Sequence, residues 1–342
     1  MPDVAVRTIG SQAFGGDFVA SSGPIKFGAL LWPQYTDWAS LRDTAAYADE
    51  LGFESLWTWD HLYPIVGSPE GPIFEGYLTL AGFAGVTKRA TLGLMVGANT
   101  FRNPGLTAKE VTTLDHISNG RAVLGIGGAW FETEHDAMGI DFGSGFGQRL
   151  DWLDESVEVI HGMLHGEEPT ARGQRYHAKK ARNDPPPVQK HLPILIGGGG
   201  EKKTLRTTAR FADMWNINGD VDEVRHKDEV LRRWCDDVGR DTNEIERTLS
   251  ANAVILRDDP AEAARVGKET GRRNGGWEGA DFTGTPEQLV ERLVPYVELG
   301  FKHFYIDVPA PFDRETLERT IREVKPGMEQ ATSSAAAASS AR

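Results

Sequence analysis

Residues 192–211 read LPILIGGGGEKKTLRTTARF. An apolar run, 192–197, passes into four glycines and then into a helical stretch, 201–211. This is one strand–turn–helix unit, and the chain repeats the unit in both directions. Strand-like runs lie at 26–31, 54–59, 91–96 and 122–127 before it, and at 213–218, 249–256 and 302–307 after it. Helical stretches follow them at 38–51, 76–88, 105–117 and 147–164, then at 222–238, 260–272 and 313–324. A further helix, 286–299, precedes the last strand and opens with Thr285-Pro286-Glu287, a capping residue followed by proline at the first helical position. Eight such units in one body predict a (β/α)8 TIM barrel. A doubly wound open sheet is the rival, and the barrel is favoured because the first unit has no dinucleotide fingerprint.

The barrel domain is expected to span 25–328. Residues 1–24 carry no lasting period and read as a flexible leader. The tail 329–342, with its run ATSSAAAASSAR, is expected to be disordered. Residues 166–191 break the rhythm before the fifth strand: no long helix, three consecutive prolines, and six Lys or Arg against one acid within 170–190. They read either as a solvated insertion loop or as a basic lid facing an anionic ligand.

With 39% hydrophobic and 25% charged residues the chain has an ordinary globular composition, and its net charge is −13. That balance argues against nucleic acid or an anionic membrane as partner. The single cysteine, Cys235, excludes an intramolecular disulfide or a thiolate zinc cluster. No apolar run reaches the roughly 18 residues of a membrane helix, and no signal-peptide pattern opens the chain. The expectation is a cytoplasmic protein acting on a small molecule.

Three motifs sit where a barrel places chemistry, at the C-terminal ends of strands. Gly197, Gly198, Gly199 and Gly200 lead into a helix whose first N–H groups attract an anion, with Lys202, Lys203 and Arg206 adding positive charge. Trp59-Asp60-His61 ends the second strand and offers a proton carrier; taken alone it reads more readily as a histidine satisfied in a packed loop. Gly125-Ile126-Gly127-Gly128 is too incomplete for a dinucleotide fingerprint but lets a flat ring approach the backbone. His161 and His165 stand four apart as metal ligands do, yet no third ligand accompanies them, so they read as surface residues and no metal site is expected.

Five stretches together resemble the bacterial luciferase-like superfamily, most closely its deazaflavin (coenzyme F420)-dependent oxidoreductases. They are TWDHLYP (58–64), TFRNPGLTAKEVTTLDHISNGRAVLGIGGAWFETEHDAMGIDF (100–142), FGQRLDWLDESVEVI (146–160), PPPVQKHLPILIGGGGEKKTLRTTARFADMWN (185–216) and TGTPEQLVERLVPYVELGFKHFYI (283–306). The resemblance implies a barrel whose mouth holds a flavin-like ring. Asp60 and His61 match the pair beside the ring, His61 moving the proton and Asp60 orienting it. Met95, Val96 and Gly97 match the strand end that backs the ring, where relatives often carry a non-proline cis peptide. Gly197 to Gly200 with Lys202 match the loop that receives the cofactor phosphate. Asn216, Asn218 and Gly219 close the next strand, and Gly127 and Gly128 flank the ring. Trp59 and Trp130 give the pocket apolar walls.

Two departures accompany the likeness. The sugar-phosphate dehydrogenases of this superfamily carry a glutamate after the fourth-strand glycines, and the matching position reads as Trp130. They also carry a tryptophan four residues after the histidine, where this chain has Ile65. The implied activity is hydride transfer between reduced F420 and a small organic acceptor, with glucose 6-phosphate excluded. The alternatives are an FMN-dependent monooxygenase and a non-catalytic flavin-binding barrel. Relatives of this kind are often dimers, which makes a homodimer the expected assembly.

Overall fold

A computed structural model describes residues 23–340, and of 334–340 the backbone alone. The expected leader, 1–24, thus lies outside the described residues apart from Gly23 and Pro24. Eight strands form a closed ring in chain order: β1 (Lys26–Leu31), β2 (Ser55–Thr58), β3 (Thr91–Leu94), β4 (Ala122–Gly127), β5 (Ile194–Gly197), β6 (Met214–Ile217), β7 (Glu246–Leu256) and β8 (His303–Val308). Each pairs in parallel with the next, and β8 returns to β1 in register from Lys26↔His303 to Leu31↔Val308. The expected barrel is therefore the observed one.

Helices wrap the ring: α1 (Trp38–Leu51), α2 (Gly76–Val86), α3 (Pro104–Ser118), α4 (Glu132–Met138), α5 (Phe146–Leu164), α6 (Thr204–Phe211), α7 (Val221–Val238), α8 (Pro260–Arg273), α9 (Pro286–Glu298), α10 (Arg314–Arg319) and α11 (Lys325–Ser340). Local chemistry sets their ends. Asp37 caps α1 by accepting from Ser40 N, and Gly52 ends it at φ 106°, a left-handed conformation that a side chain would resist. Thr285 and Gln288 form a reciprocal capping box on α9.

Strand pleating sorts the core into two layers. Leu56, Leu124, Ile194 and Ile196 face the helices, whereas Trp57, Val123, Leu195, Met214 and Tyr305 fill the barrel's interior. The barrel is thus a packed plug rather than a pore. At its lower end Trp57 Nε1 donates to Ser55 Oγ at 2.8 Å, Ser55 Oγ lies 2.8 Å from His303 Nε2, and His303 Nδ1 lies 3.0 Å from Glu246. Lys26 donates to the same carboxylate at 2.9 Å.

The structure differs from the sequence reading in three places and decides between the two readings of a fourth, 166–191, in favour of the insertion loop. The helix expected from residue 201 starts at Thr204, because Glu201, Lys202 and Lys203 form a turn. The seven-residue helix α4 was not expected, being too short to show a period. The tail expected to be disordered continues α11 to Ser340, in keeping with the high helix propensity of alanine. Residues 166–191 climb the outer wall rather than covering the mouth. Their hairpin, Ala171–Arg172 against His177–Ala178, is pinned to α5 through Glu155, which accepts from Gln174 N and Arg175 N. Tyr176 reaches the Asn99 carbonyl at 2.6 Å, and Asp115 of α3 accepts from Gln189.

His161 and His165 stack at 4.1 Å, and His165 meets His191, which bonds Asp213. Among the described residues no group of three or more His, Cys, Asp or Glu is arranged to hold a metal, and no helix is long and apolar enough to cross a membrane.

Candidate active site

The strand ends converge on a cavity of about 380 Å³ at the C-terminal mouth of the barrel, and every one of the eight strands or the segment just after it contributes to the lining. Of the residues singled out in the sequence, Trp59, Asp60, His61, Met95, Val96, Gly97, Gly127, Gly128, Trp130, Gly197, Gly198, Asn216 and Asn218 line it. Gly199, Gly200, Lys202 and Gly219 do not; they stand beyond the rim, on the turn before α6 and the loop before α7.

The floor is built around Val96, which follows Met95 through a cis peptide bond. A Cβ on Gly127 would lie 2.7 Å from Val96 Cγ2, and one on Gly197 would lie 2.9 Å from Val96 Cγ1. Side chains are excluded at both positions. The close approach that these glycines permit is made first by the protein's own valine, which thereby faces the cavity.

His61 is fixed by a residue that the sequence reading missed. Its Nδ1 lies 2.8 Å from Glu134 Oε1, and Glu134 Oε2 accepts from Leu62 N at 2.7 Å. Glu134 belongs to α4, and its side chain is 1% exposed. An acceptor on Nδ1 assigns the proton to that nitrogen and leaves Nε2 free toward the cavity. The Trp130 ring meets the imidazole edge-on at 5.6 Å and is itself half exposed at the rim.

Asp60 does not orient His61, contrary to the expectation. Its two oxygens take a forked pair of bonds from Arg102, at 2.7 and 2.9 Å, and Oδ2 also accepts from Ala98 N at 2.8 Å. Arg102 is further bound by Glu75 and Glu110 and lies over the Tyr77 ring. Burial holds the Glu110 carboxyl above its ordinary range, against the pull of Arg102. Asp60 therefore ties β2 to the segment after β3, its oxygens engaged by Arg102 and Ala98 N rather than by His61.

On the other side of the mouth the lining is amide and hydroxyl. Asn216 donates to Thr248 Oγ1 at 3.1 Å and accepts from Ser250 at 3.2 Å. Asp307, at the end of β8, accepts from Trp32 Nε1 at 3.0 Å.

Beyond the rim, Trp215 Nε1 donates to the Gly198 carbonyl at 3.0 Å and shapes the glycine turn. Lys203 is paired with Asp151, Lys227 with Glu201, and Arg206 with Asp154. Lys202 is exposed and forms no ion pair among the described residues. In the wall segment Arg182 pairs with Glu168, and Arg175 stacks on Trp152 beside Asp141. No residue of 166–191 lines the cavity.

The model of the family described as luciferase-like monooxygenase matches residues 22–273. The chain belongs to that family. This luciferase-like barrel is 27% identical over 333 residues, 89% of its length, to an F420-dependent glucose-6-phosphate dehydrogenase of Microbacterium testaceum, covering 97% of that protein. It is 28% identical over 321 residues to an enzyme of the same name from Nakamurella multipartita, covering 84% of this chain and 91% of the other.

Among solved structures it superposes on a coenzyme F420-dependent tetrahydromethanopterin reductase from Methanopyrus kandleri with a TM-score of 0.72 at 19% identity, covering 90% of this chain and all of that one. An F420-dependent secondary alcohol dehydrogenase gives 0.75 at 18%, covering 90% and 99%. A monooxygenase from Streptomyces bottropensis gives 0.74 at 20%, covering 90% and 100%. At these identities the superpositions establish the shared fold alone.

Proposed function

We propose that this luciferase-like protein is an F420-dependent oxidoreductase that moves a hydride between reduced deazaflavin and a small organic acceptor. The observation that carries the reading is His61, held at Nδ1 by buried Glu134 with Nε2 toward the cavity. The names of the two relatives that align over most of both chains support the choice of cofactor.

The residues present fit such a group. Val96 and the backbone of Gly97, Gly127 and Gly128 would seat a flat ring, with Met95 and Trp59 excluding water from its edges. Asn216 and Asn218 offer hydrogen bonds along the ring's polar side. Gly197 and Gly198 lead out of the cavity to Gly199, Gly200 and the first turn of α6, where Leu205 N is held by the Gly200 carbonyl and the N-terminal end of the helix, with Lys202, would receive a phosphate. Gly219 borders that exit. When bound, the deazaflavin supplies the hydride chemistry.

His61 serves the accompanying proton. With Nδ1–H donated to Glu134, Nε2 accepts a proton from an alcohol, and the adjoining carboxylate stabilises the imidazolium so formed. In the reverse direction the imidazolium delivers that proton to the acceptor. Trp130, edge-on to the ring, limits how far the imidazole can swing.

An FMN-dependent monooxygenase is the second reading, favoured by the family and by a monooxygenase of the same fold. Titrating the protein with F420 and with FMN, followed by tryptophan fluorescence, separates them. F420 should bind at least about tenfold more tightly. Tighter binding of FMN would overturn the choice of cofactor, turnover undiminished in His61→Ala would move the proton carrier to another residue or to water, and binding of a cofactor with no turnover by the wild type would reduce the protein to a flavin carrier.

A further inference from the structure

Building on the reading of this cavity as a hydride-transfer site, we propose that Asp307 is its second polar anchor, holding an uncharged oxygen of the substrate, carbonyl or hydroxyl. The argument begins with placement. The glycine and valine floor comes from β3, β4 and β5, across the barrel from β7, β8 and β1, with β2 bordering it. A ring lying on that floor leaves the substrate bounded by the opposite arc, where Leu30 separates His61 from Asp307. Their strands stand two apart, roughly 10 Å at the backbone. The two side chains therefore bracket a substrate from adjoining edges.

The chemistry of Asp307 suits that role. Its Oδ2 is taken by Trp32 Nε1, whose ring packs between Trp59 at 4.6 Å and Trp277 at 5.0 Å. Its Oδ1 receives no hydrogen bond from any described residue, and Asp307 is part of the cavity lining. The other titratable groups around it are few. Asp281, which accepts from Ala253 N beside Asp307, adds a like charge. His61, Glu134 and Asp60, the last bound to Arg102 outside the lining, complete the ionisable lining across the mouth. Ser250 and Asn252 on β7 are neutral. Among the described residues no lysine or arginine lines the cavity. Burial pushes the Asp307 carboxyl up to about 7, with Trp32 opposing and Asp281 adding to the rise.

A carboxyl poised there has two faces. As the acid it donates to a carbonyl oxygen; as the carboxylate it accepts only, and suits a hydroxyl. Binding of a ketone should therefore fail as Asp307 ionises, while binding of an alcohol should persist.

Trp32 supplies the reporter. Its indole N–H resonance, assigned by its loss in Trp32→Phe, should shift with pH with a midpoint near neutrality, and should be flat in Asp307→Asn. The same resonance measures binding of two probes to the protein without cofactor, cyclohexanone and cyclohexanol. From pH 6 to 8.5 the cyclohexanone dissociation constant should rise about tenfold or more, and that of cyclohexanol should change less than about twofold. Asp307→Asn, which keeps a donor and an acceptor at every pH, should bind both probes without pH dependence. Asp307→Leu should lose both.

A flat Trp32 signal in the wild type, an unchanged ketone dissociation constant across the range, the same pH dependence in Asp307→Asn, or binding of neither probe would overturn the proposal. These readouts need no F420. A protein that passes them yet binds no F420 refutes the cofactor reading and leaves the Asp307 assignment standing.

Discussion

Asp60 and His61 are neighbours in sequence with separate duties, and three substitutions distinguish them. His61→Ala should slow F420-linked turnover by about 100- to 10,000-fold, the span of general acid–base contributions, with an unchanged melting temperature. Glu134→Gln removes the charge that steadies the imidazolium and should fall toward the lower end of that span, again with the fold intact. Asp60→Asn should act on stability instead. Breaking a buried ion pair costs about 3–5 kcal/mol, which for a chain of this size lowers the melting temperature by about 4–7 °C. Steady-state rates and calorimetry on the same three variants check this, and a stable Asp60→Asn protein with lost activity would return Asp60 to the chemistry. The sequence made His61 visible through its place at a strand end. It could not show Glu134, 72 residues from the Leu62 N–H it accepts, because no local spacing relates a short helix to a distant loop.

At the scale of elements, the lower ends of β1, β7 and β8 are joined through Lys26, Glu246 and His303. Burial keeps His303 neutral and below its ordinary range, against the pull of Glu246. That agrees with one ring nitrogen donating to Glu246 while the other accepts from Ser55. Glu246 is desolvated too, but His303 and then Lys26 outweigh this and lower its pKa to about 2. Because the folded value lies below the ordinary 4.5, the carboxylate stabilises the fold fully above about pH 4.5, and that contribution is lost as pH falls toward 2. Urea unfolding at pH 6 and pH 3 should show Glu246→Gln less stable than wild type at pH 6, with the difference shrinking at pH 3. An equal deficit at both would mean that packing, not charge, links these strands. Strands and long helices were legible in the sequence because their runs are apolar or periodic. The start of α6 was not, since Glu201, Lys202 and Lys203 suit a turn as readily as a first helical turn. The position of 166–191 was equally hidden: its basic composition suggested a lid, but Glu155 and Asp115 on two helices decide where it lies.

For the molecule as a whole, the electrostatics of the mouth set the substrate's charge. Asp60, Glu134 and Asp307 line the cavity; of the nearby guanidinium groups, Arg102 is shared among three carboxylates, and Arg149 lies behind Phe146, bonded to the Ala129 and Phe142 carbonyls. A phosphate dianion would enter a low-dielectric space that no lysine or arginine of the described residues lines. Glucose 6-phosphate should therefore be oxidised with kcat/KM at least about 100-fold below that of a neutral secondary alcohol, as measured by F420 reduction. Comparable values would show that a cation reaches the mouth by a rearrangement. The exclusion thus rests on the whole lining rather than on Trp130, which stands at the rim. The closing of the ring has a further consequence, for the order in which the protein comes into being. His61 leaves the ribosome early, but β1 finds its second partner only when His303–Val308 has been synthesised. Until then the nascent chain carries an unsatisfied strand edge and no enclosed mouth. A product truncated before β8 should therefore neither capture cofactor nor stay monodisperse, and the last strand acts as the latch that turns a string of half-finished units into a vessel.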